Sequence, residues 1–191
     1  AARNRHIMES IEYAEHIQKS ILPAIGLFSK QLGETFVMYR PKDVVAGDFY
    51  WMETVGDQVL FAVADCTGHG VPGALLSVMC SGVLSESVKD FGLTAPEKIL
   101  DKSVVLLEER MRKSGTDLKD GMDISLCCLN RSTNTLSYAG AYNPLVVLRQ
   151  GESTVLPADR QPIGTFDARN PFTGHSIQVQ QGDMLYLFSD G

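Results

Sequence analysis

Six successive apolar residues, VLFAVA at positions 59–64, limit the architectures open to this chain. Side chains of a strand point alternately to its two faces, and here both alternating sets are apolar. A strand of this kind must be covered on both faces, which is typical of a central strand in a layered core. We therefore expect sheets with further layers on both sides, rather than one sheet with a face in water.

The segment after this strand combines an acid with a glycine-rich turn and a helix. Asp65 follows the strand directly, and the turn GHGVPG at 68–73 precedes a helical pattern that runs to about Asp90. Pro72 is tolerated near the helix start, where its missing N–H has no partner to lose. A second helix is predicted from Thr94 as the cap residue, Pro96 as an early proline and Glu97 as the acid of a capping box.

Strand-like patterns lie on both sides of this helix pair. Before it we predict strands in TFVMYR (35–40), GDFYWMETV (47–55) and DQVLFAVAD (57–65), joined by two hairpin connections. After residue 120 the strand candidates are MDISLCCLN, TLSYAGA, PLVVLR, STVLP, HSIQVQ and MLYLFS. Strands that flank a pair of helices predict an α+β fold with antiparallel sheets.

The first 23 residues have the pattern of an amphipathic helix that ends before Pro23. Its apolar stripe consists of Ile7, Ile11, Ala14 and Ile21. Two interpretations stay open: the stripe packs on the domain, or it forms a coiled-coil linker from an upstream regulatory region. We assign residues 1–23 to this helix and 24–191 to one globular domain, of which 24–34 is a connector broken by glycines.

Composition excludes several classes of protein. The net charge of −6 and the lack of a basic stripe argue against a nucleic-acid surface. The longest apolar runs are too short for a membrane span, and no signal-like segment opens the chain. The four cysteines have neither zinc-site nor disulfide spacing, so we expect reduced thiols and a cytoplasmic protein.

Three acids, Asp48, Asp65 and Asp190, stand at strand ends with a glycine adjacent or close by. If the strands next to Asp48 and Asp65 form a hairpin, their carboxylates come close, and a cation is needed to offset the repulsion. Oxygen ligands without a His or Cys pair favour a hard ion, magnesium or manganese. The carbonyl of Cys66 is a candidate further ligand, because the glycines allow close approach of the backbone.

Other interpretations of the same turn remain open. The turn could cradle phosphate at a helix N-terminus, but it lacks the lysine and hydroxyl residues of a P-loop. His69 is as consistent with a turn residue as with a general acid or a ligand. Asp120 and Asp123 are candidates for an accessory ion, although turn and edge acids commonly have no catalytic role.

Three blocks of the sequence, VVAGDFYW (44–51), VADCTGHGVPGALLS (63–77) and YLFSDG (186–191), occur in that order with two helices after the second. In these blocks the chain resembles the bacterial SpoIIE-type branch of the metal-dependent protein serine/threonine phosphatases (PPM, type 2C class). The resemblance covers roughly residues 20–191. It implies a four-layer αββα sandwich, in which two antiparallel sheets are flanked by helices and a two-metal site lies at one edge between the sheets.

The resemblance also implies roles for individual residues. Asp48 would bind both ions, Asp65 and the Cys66 carbonyl would bind one, and Asp190 would bind the other. Two divalent cations, Mn²⁺ or Mg²⁺, would activate a water for attack on phosphoserine or phosphothreonine. The family has a further metal-binding aspartate downstream of the SDG block, so we expect the domain to continue beyond Gly191 and the 191 residues alone to lack the last ligand.

The expected function is that of an output domain in a signalling protein. The resemblance implies a phosphorylated protein substrate such as an anti-anti-sigma-like regulator, an upstream sensor domain, and neither nucleic-acid nor membrane contact; a homodimer could form through the N-terminal helix. The alternative is a catalytically silent domain of the same fold that serves in binding or dimerisation. Retention of the three acids with their glycines favours the enzyme, because a silent domain has no physical need for clustered acids.

Overall fold

The computed structural model describes residues 2–113 and 120–190, apart from the side chains of residues 2, 3 and 113. Its helices are α1 (Ala2–Ile21), α2 (Ile25–Leu32), α3 (Gly70–Lys89) and α4 (Pro96–Lys113). Its strands are β1 (Phe49–Val55), β2 (Gln58–Cys66), β3 (Gly121–Asn130), β4 (Thr135–Ala141), β5 (Leu145–Arg149), β6 (Glu152–Leu156), β7 (Ile163–Gly164), β8 (His175–Gln178) and β9 (Met184–Tyr186).

The strands form two antiparallel sheets. The larger sheet has the order β1-β2-β3-β4-β8, with β7 paired to the start of β3. The smaller sheet has the order β6-β5-β9. Strand β2 lies inside the larger sheet: its residues 58–64 pair with β1, and its residues 58–66 pair with β3.

The two faces of the larger sheet contribute to two separate cores. On one face, Ala62 and Ala64 pack with Leu84 of α3 and Leu107 of α4, in what we call the helix-side core. On the other face, Phe61 and its neighbours pack with β5 of the smaller sheet, in the inter-sheet core. Both faces of β2 are therefore covered, which confirms its predicted central position.

The layers follow from these two cores. The helices α3 and α4 cover one face of the larger sheet, and the smaller sheet covers the other. The predicted α+β class with two antiparallel sheets and helices is confirmed. The outer side of the smaller sheet is open at β6, where Val155 is 55% exposed.

Two segments before β1 differ from the sequence prediction. Residues 35–40 do not form a strand, because no described strand pairs with their backbone, although Phe36 and Met38 still point outward and Val37 inward. Only one of the two predicted hairpins therefore exists, between β1 and β2. The predicted connector at 24–34 contains helix α2, which places Phe28 in the inter-sheet core.

Helix α3 begins at Gly70, so that Pro72 lies in its first turn as predicted. By length and composition alone, this helix could cross a membrane. However, 56% of its most apolar window is buried inside the protein, as in the core helix of a globular domain. Buried serines of this helix, such as Ser77 and Ser81, let it lie close to its neighbours.

Candidate active site

Three aspartates lie side by side across three adjacent strands. In the hairpin register Phe49 is opposite Ala64, which puts Asp48 next to Asp65, and Asp65 is directly opposite Asp123. The hairpin that the sequence predicted for Asp48 and Asp65 therefore forms. Together with Asp190, these residues make up what we call the acid edge.

All three strand acids belong to the inter-sheet face of the larger sheet. Their sequence neighbours Phe49, Ala64 and Ile124 belong to the helix-side core. Since successive side chains of a strand alternate between faces, the acids point to the opposite side. The acid edge thus lies at one end of the space between the two sheets.

The smaller sheet supplies the fourth acid. The chain continues from β9 through Ser189, whose hydroxyl Oγ donates a hydrogen bond to Oδ2 of Asp48 at 3.0 Å. Asp190 follows and lies close enough to Asp65 to raise the pKa of that carboxyl group. Residues from both sheets therefore meet at one site, as the sequence blocks suggested.

Glycine is required where the backbone before β1 approaches the backbone at the end of β2. A Cβ atom on Gly47 would lie 2.8 Å from the carbonyl oxygen of Cys66 and 2.8 Å from that of Gly68. Gly68 itself has φ of +87°, a conformation that L side chains rarely adopt. The acid at the end of β2 and the acid before β1 can therefore share the same small space only with these glycines.

The Cys66 carbonyl faces this space, whereas its thiol does not. The thiol is buried in the helix-side core. Its hydrogen bond with the Cys80 thiol and its burial raise its pKa well above the usual value. It therefore stays protonated and is not a thiolate ligand. Only the carbonyl oxygen of this residue faces Gly47, next to Asp48, and its role as a ligand stays a prediction.

Thr67 fixes the end of β2 to the start of β3. Its backbone N–H donates to the carbonyl of Gly121 at 2.9 Å, and its Oγ1 accepts from the Gly121 N–H at 3.1 Å. This pairing holds the strand ends that carry Asp65 and Asp123 in a fixed relation.

Burial and neighbouring carboxylates raise the pKa of Asp65 and of Asp123. The pKa of Asp65 rises to about 8, first because the group is buried, then because it bonds to Asp48 and feels the charges of Asp48 and Asp190. Burial and the charge of Asp190 also raise the pKa of Asp123. At neutral pH, therefore, a proton or a cation is needed to hold these acids together.

The donor set fits a hard divalent cation. Carboxylate and carbonyl oxygens are the ligands that magnesium and manganese prefer. Within residues 2–113 and 120–190, no three His, Cys, Asp or Glu side chains are arranged around a point that could hold a metal ion. Cation binding at the acid edge therefore requires its side chains to turn toward a common point.

The remaining candidates lie beside the acid edge. His69 precedes α3 without a capping bond from its side chain, and its Nδ1 lies 3.2 Å from Oδ2 of Asp43, with both groups exposed. Asp120 precedes β3 and has its carbonyl oxygen near Gly164. Neither residue is in the row of carboxylates.

Asp123 is the member of the acid edge that sequence analysis named only as a candidate for an accessory ion. Its position in the site follows only from the strand register. One has to know that β3 pairs with β2 and that Asp123 lies opposite Asp65 in that pairing. A sequence pattern gives neither, because a shift of one residue would put the side chain on the other face.

Comparisons with known proteins show the family and the fold of this chain. A family model described as stage II sporulation protein E (SpoIIE) matches residues 55–191. The phosphoserine phosphatase RsbU of Bacillus subtilis (strain 168) is 21% identical over 98% of this chain. The chain spans 54% of the length of that relative.

Two solved structures show the same fold. The SiaA PP2C domain of Pseudomonas aeruginosa has a TM-score of 0.87 and 33% identity, covering 100% of this chain and 74% of that chain. RsbX in complex with magnesium has a TM-score of 0.56 and 17% identity, covering 76% of this chain and 67% of that chain.

Proposed function

Because this chain belongs to the SpoIIE family of PP2C-type phosphatases, we propose that its acid edge hydrolyses phosphoserine or phosphothreonine on a regulatory protein. The observation that carries the proposal is that four aspartates lie at one end of the space between the two sheets. Among the described residues, no ion pair joins any of the four to a Lys, Arg or His side chain. Such a group of acids costs stability and therefore indicates a site that serves function.

The residues of the acid edge have separate tasks in this proposal. Asp48 lies between Asp65 and Ser189, which fits a carboxylate shared between two cation positions. Asp65 and the Cys66 carbonyl serve one position, and Asp190 serves the other. Asp123, directly opposite Asp65, is an additional donor.

Divalent cations bound at these positions would lower the pKa of a water molecule and offset the charge of the phosphoryl oxygens. The chain's own residues supply the negative charge that retains the cations, and the Gly47 close approach keeps both groups of donors within reach. We propose two cations, Mn²⁺ or Mg²⁺. The magnesium complex of the structural neighbour RsbX supports this class of ion.

The substrate class is proposed from the relative RsbU, which is named a phosphoserine phosphatase. We propose a phosphorylated regulator of the anti-anti-sigma type as substrate. The net charge of −6 makes a nucleic acid an unsuitable partner.

We propose that the domain is an output unit in a cytoplasmic signalling protein. The four cysteines are unpaired and buried, which is compatible with a reducing compartment. Helix α1 exposes Ile7, Met8, Tyr13 and Ile17 by 49% to 69%. These apolar residues support the proposal of a homodimer through this helix, linked to an upstream sensor domain.

Phosphate release from a phosphoserine peptide tests the proposal. The natural full-length protein is assayed with Mn²⁺, with Mg²⁺ and with a chelator, next to the variant Asp65→Asn. We expect release that requires both the cation and Asp65. A folded protein that binds a phosphoprotein without releasing phosphate would instead indicate a silent binding module.

A further inference from the structure

Helix α1 has a buried glutamine where an apolar residue would be expected. Of its described side chains, from residue 4 to residue 21, only Gln18 is fully buried, with 4% of its surface exposed. Ile11, Ala14 and Ile21 on the same side of the helix are partly buried. A buried polar side chain is retained at a cost unless all its hydrogen bonds are formed.

The side-chain amide of Gln18 forms three hydrogen bonds, and two of them are with Ala46. Its Oε1 accepts from the backbone N–H of Ala46 at 3.1 Å, and its Nε2 donates to the Ala46 carbonyl at 2.5 Å. The second hydrogen of Nε2 goes to Oγ of Ser77 in α3, at 2.9 Å. Both donors of the amide are thus used.

Ala46 depends on this glutamine because it lies outside the sheets. Among the described residues, its N–H and carbonyl have no other hydrogen-bond partner, and the residue is 9% exposed. Unpaired backbone groups at such a position are unfavourable. Gln18 of helix α1 therefore provides the hydrogen-bond partners that a neighbouring strand would provide within a sheet.

Ala46 is two residues before Asp48. Gly47, between them, fits closely against the carbonyls of Cys66 and Gly68, and its Cα lies 3.2 Å from the position that a Cβ on Gly73 would take. The backbone here has little free space, so a displacement of Ala46 changes where the Asp48 carboxylate lies.

We infer that Gln18 is a positioning residue for Asp48, which holds the Ala46 backbone and so makes the cation affinity of the acid edge depend on the seating of helix α1. This inference rests on the proposed function, because it takes the acid edge to be a cation site. Gln18 itself is no ligand and acts only through the backbone.

Two variants separate positioning from general packing. Gln18→Met keeps the length of the side chain and loses all three hydrogen bonds. Ser77→Ala, the matched control, removes a buried bond of the same glutamine but leaves both bonds to Ala46. Manganese binding is measured by titration calorimetry on the natural full-length protein and on both variants, alongside their thermal unfolding.

We expect Gln18→Met to bind Mn²⁺ roughly 10-fold more weakly than the wild type and Ser77→Ala to bind within about twofold of it, since outer partners of ligands change affinity by such amounts. We further expect excess Mn²⁺ to restore kcat in Gln18→Met. Equal affinity in all three proteins, or equal weakening in both variants, would overturn the inference while leaving the cation site established. A wild type that does not bind Mn²⁺ would overturn the inference and the proposed function together.

Hydrogen exchange in the wild type provides a readout that needs no variant. The Ala46 amide lies in a loop but should exchange far more slowly than a solvated loop amide, because Gln18 accepts its hydrogen. Exchange at the rate of an exposed loop would show that the bond does not persist, and would also overturn the inference.

Discussion

Two aspartates on either side of strand β9 have opposite environments. Asp183, just before the strand, accepts hydrogen bonds from Nε and Nη2 of Arg149 at 2.8 and 2.6 Å and from the Gln180 N–H at 2.8 Å. Asp190, after the strand, meets the carboxyl group of Asp65. The carboxylate at one end of the strand therefore stabilises the fold through an ion pair. At the other end, carboxylates lie close together and their repulsion costs stability.

The pKa values express this contrast. Arg149, through its hydrogen bond, holds the pKa of Asp183 below the usual value. Burial and the neighbouring acids raise the pKa of Asp65 to about 8. The difference teaches that the role of an aspartate is determined by the groups that the fold places beside it, and not by the residue type alone.

Replacing Asp65 by asparagine should have the largest effect. Cation coordination stabilises the transition state by several kcal/mol, so the loss of this ligand should lower phosphate release by roughly 100-fold or more. The metal-free protein should be as stable as the wild type or more stable, because one member of a repelling group is gone. Phosphate release and thermal unfolding in chelator measure the two effects.

The control for this variant is Asp183→Asn, which should retain phosphate release. Unfolding caused by Asp65→Asn would contradict the account, since it would give Asp65 the same supporting role as Asp183.

Replacing Asp123 by asparagine should have an intermediate effect. Asp123 is opposite Asp65 and feels the charge of Asp190, but it shares no hydrogen bond with the other acids. We expect about 10-fold weaker activation by Mn²⁺, in the range typical of supporting groups at a metal site. Activity measured over a series of Mn²⁺ concentrations decides this. An unchanged activation curve would remove Asp123 from the acid edge as a functional residue.

Stability against pH should separate the two kinds of aspartate. The pKa of Asp65 is higher in the folded than in the unfolded state, so the folded state binds more protons between about pH 4 and pH 8. In chelator, the contribution of Asp65 to stability should therefore decline as pH rises through this range. Asp65→Asn should reduce the decline, as measured by urea unfolding at several pH values; a slope identical to the wild type would contradict the raised pKa.

The smallest effect is expected for Asp183→Asn. The lowered pKa of Asp183 means that its stabilising contribution is present above the unfolded pKa and is lost as pH falls through the folded pKa. The variant should unfold at a slightly lower urea concentration than the wild type at pH 7, and this difference should vanish in acid. A difference that persists in acid would indicate that packing, not charge, determines the role of Asp183.

Much of the fold was predictable because local patterns agreed with the tertiary structure. The apolar stretch at 59–64 gave the central strand, and Pro72 and Pro96 located the two helix starts correctly. The strand predicted at 35–40 was wrong, because alternation alone does not supply a neighbouring strand. Helix α2 was missed, because Gly26 in its first turn and Gly33 just after it suggested a connector.

The site was predictable in part. Asp48, Asp65 and Asp190 were marked by their glycines and strand ends, and the fold brings them together. Asp123 was only one of two candidates for an accessory ion and Gln18 was not identified, because their importance depends on which residues lie opposite them in space. The predicted division at residue 23 stays a prediction.

The most direct test of the cation site is the thermal unfolding of the wild type and of Asp65→Asn, each in chelator and in excess Mn²⁺. The account predicts that the wild type is no more stable than the variant in chelator, and that Mn²⁺ stabilises the wild type strongly and the variant little. Equal stabilisation of both proteins by Mn²⁺, or of neither, would contradict the claim that the acid edge exists to hold cations.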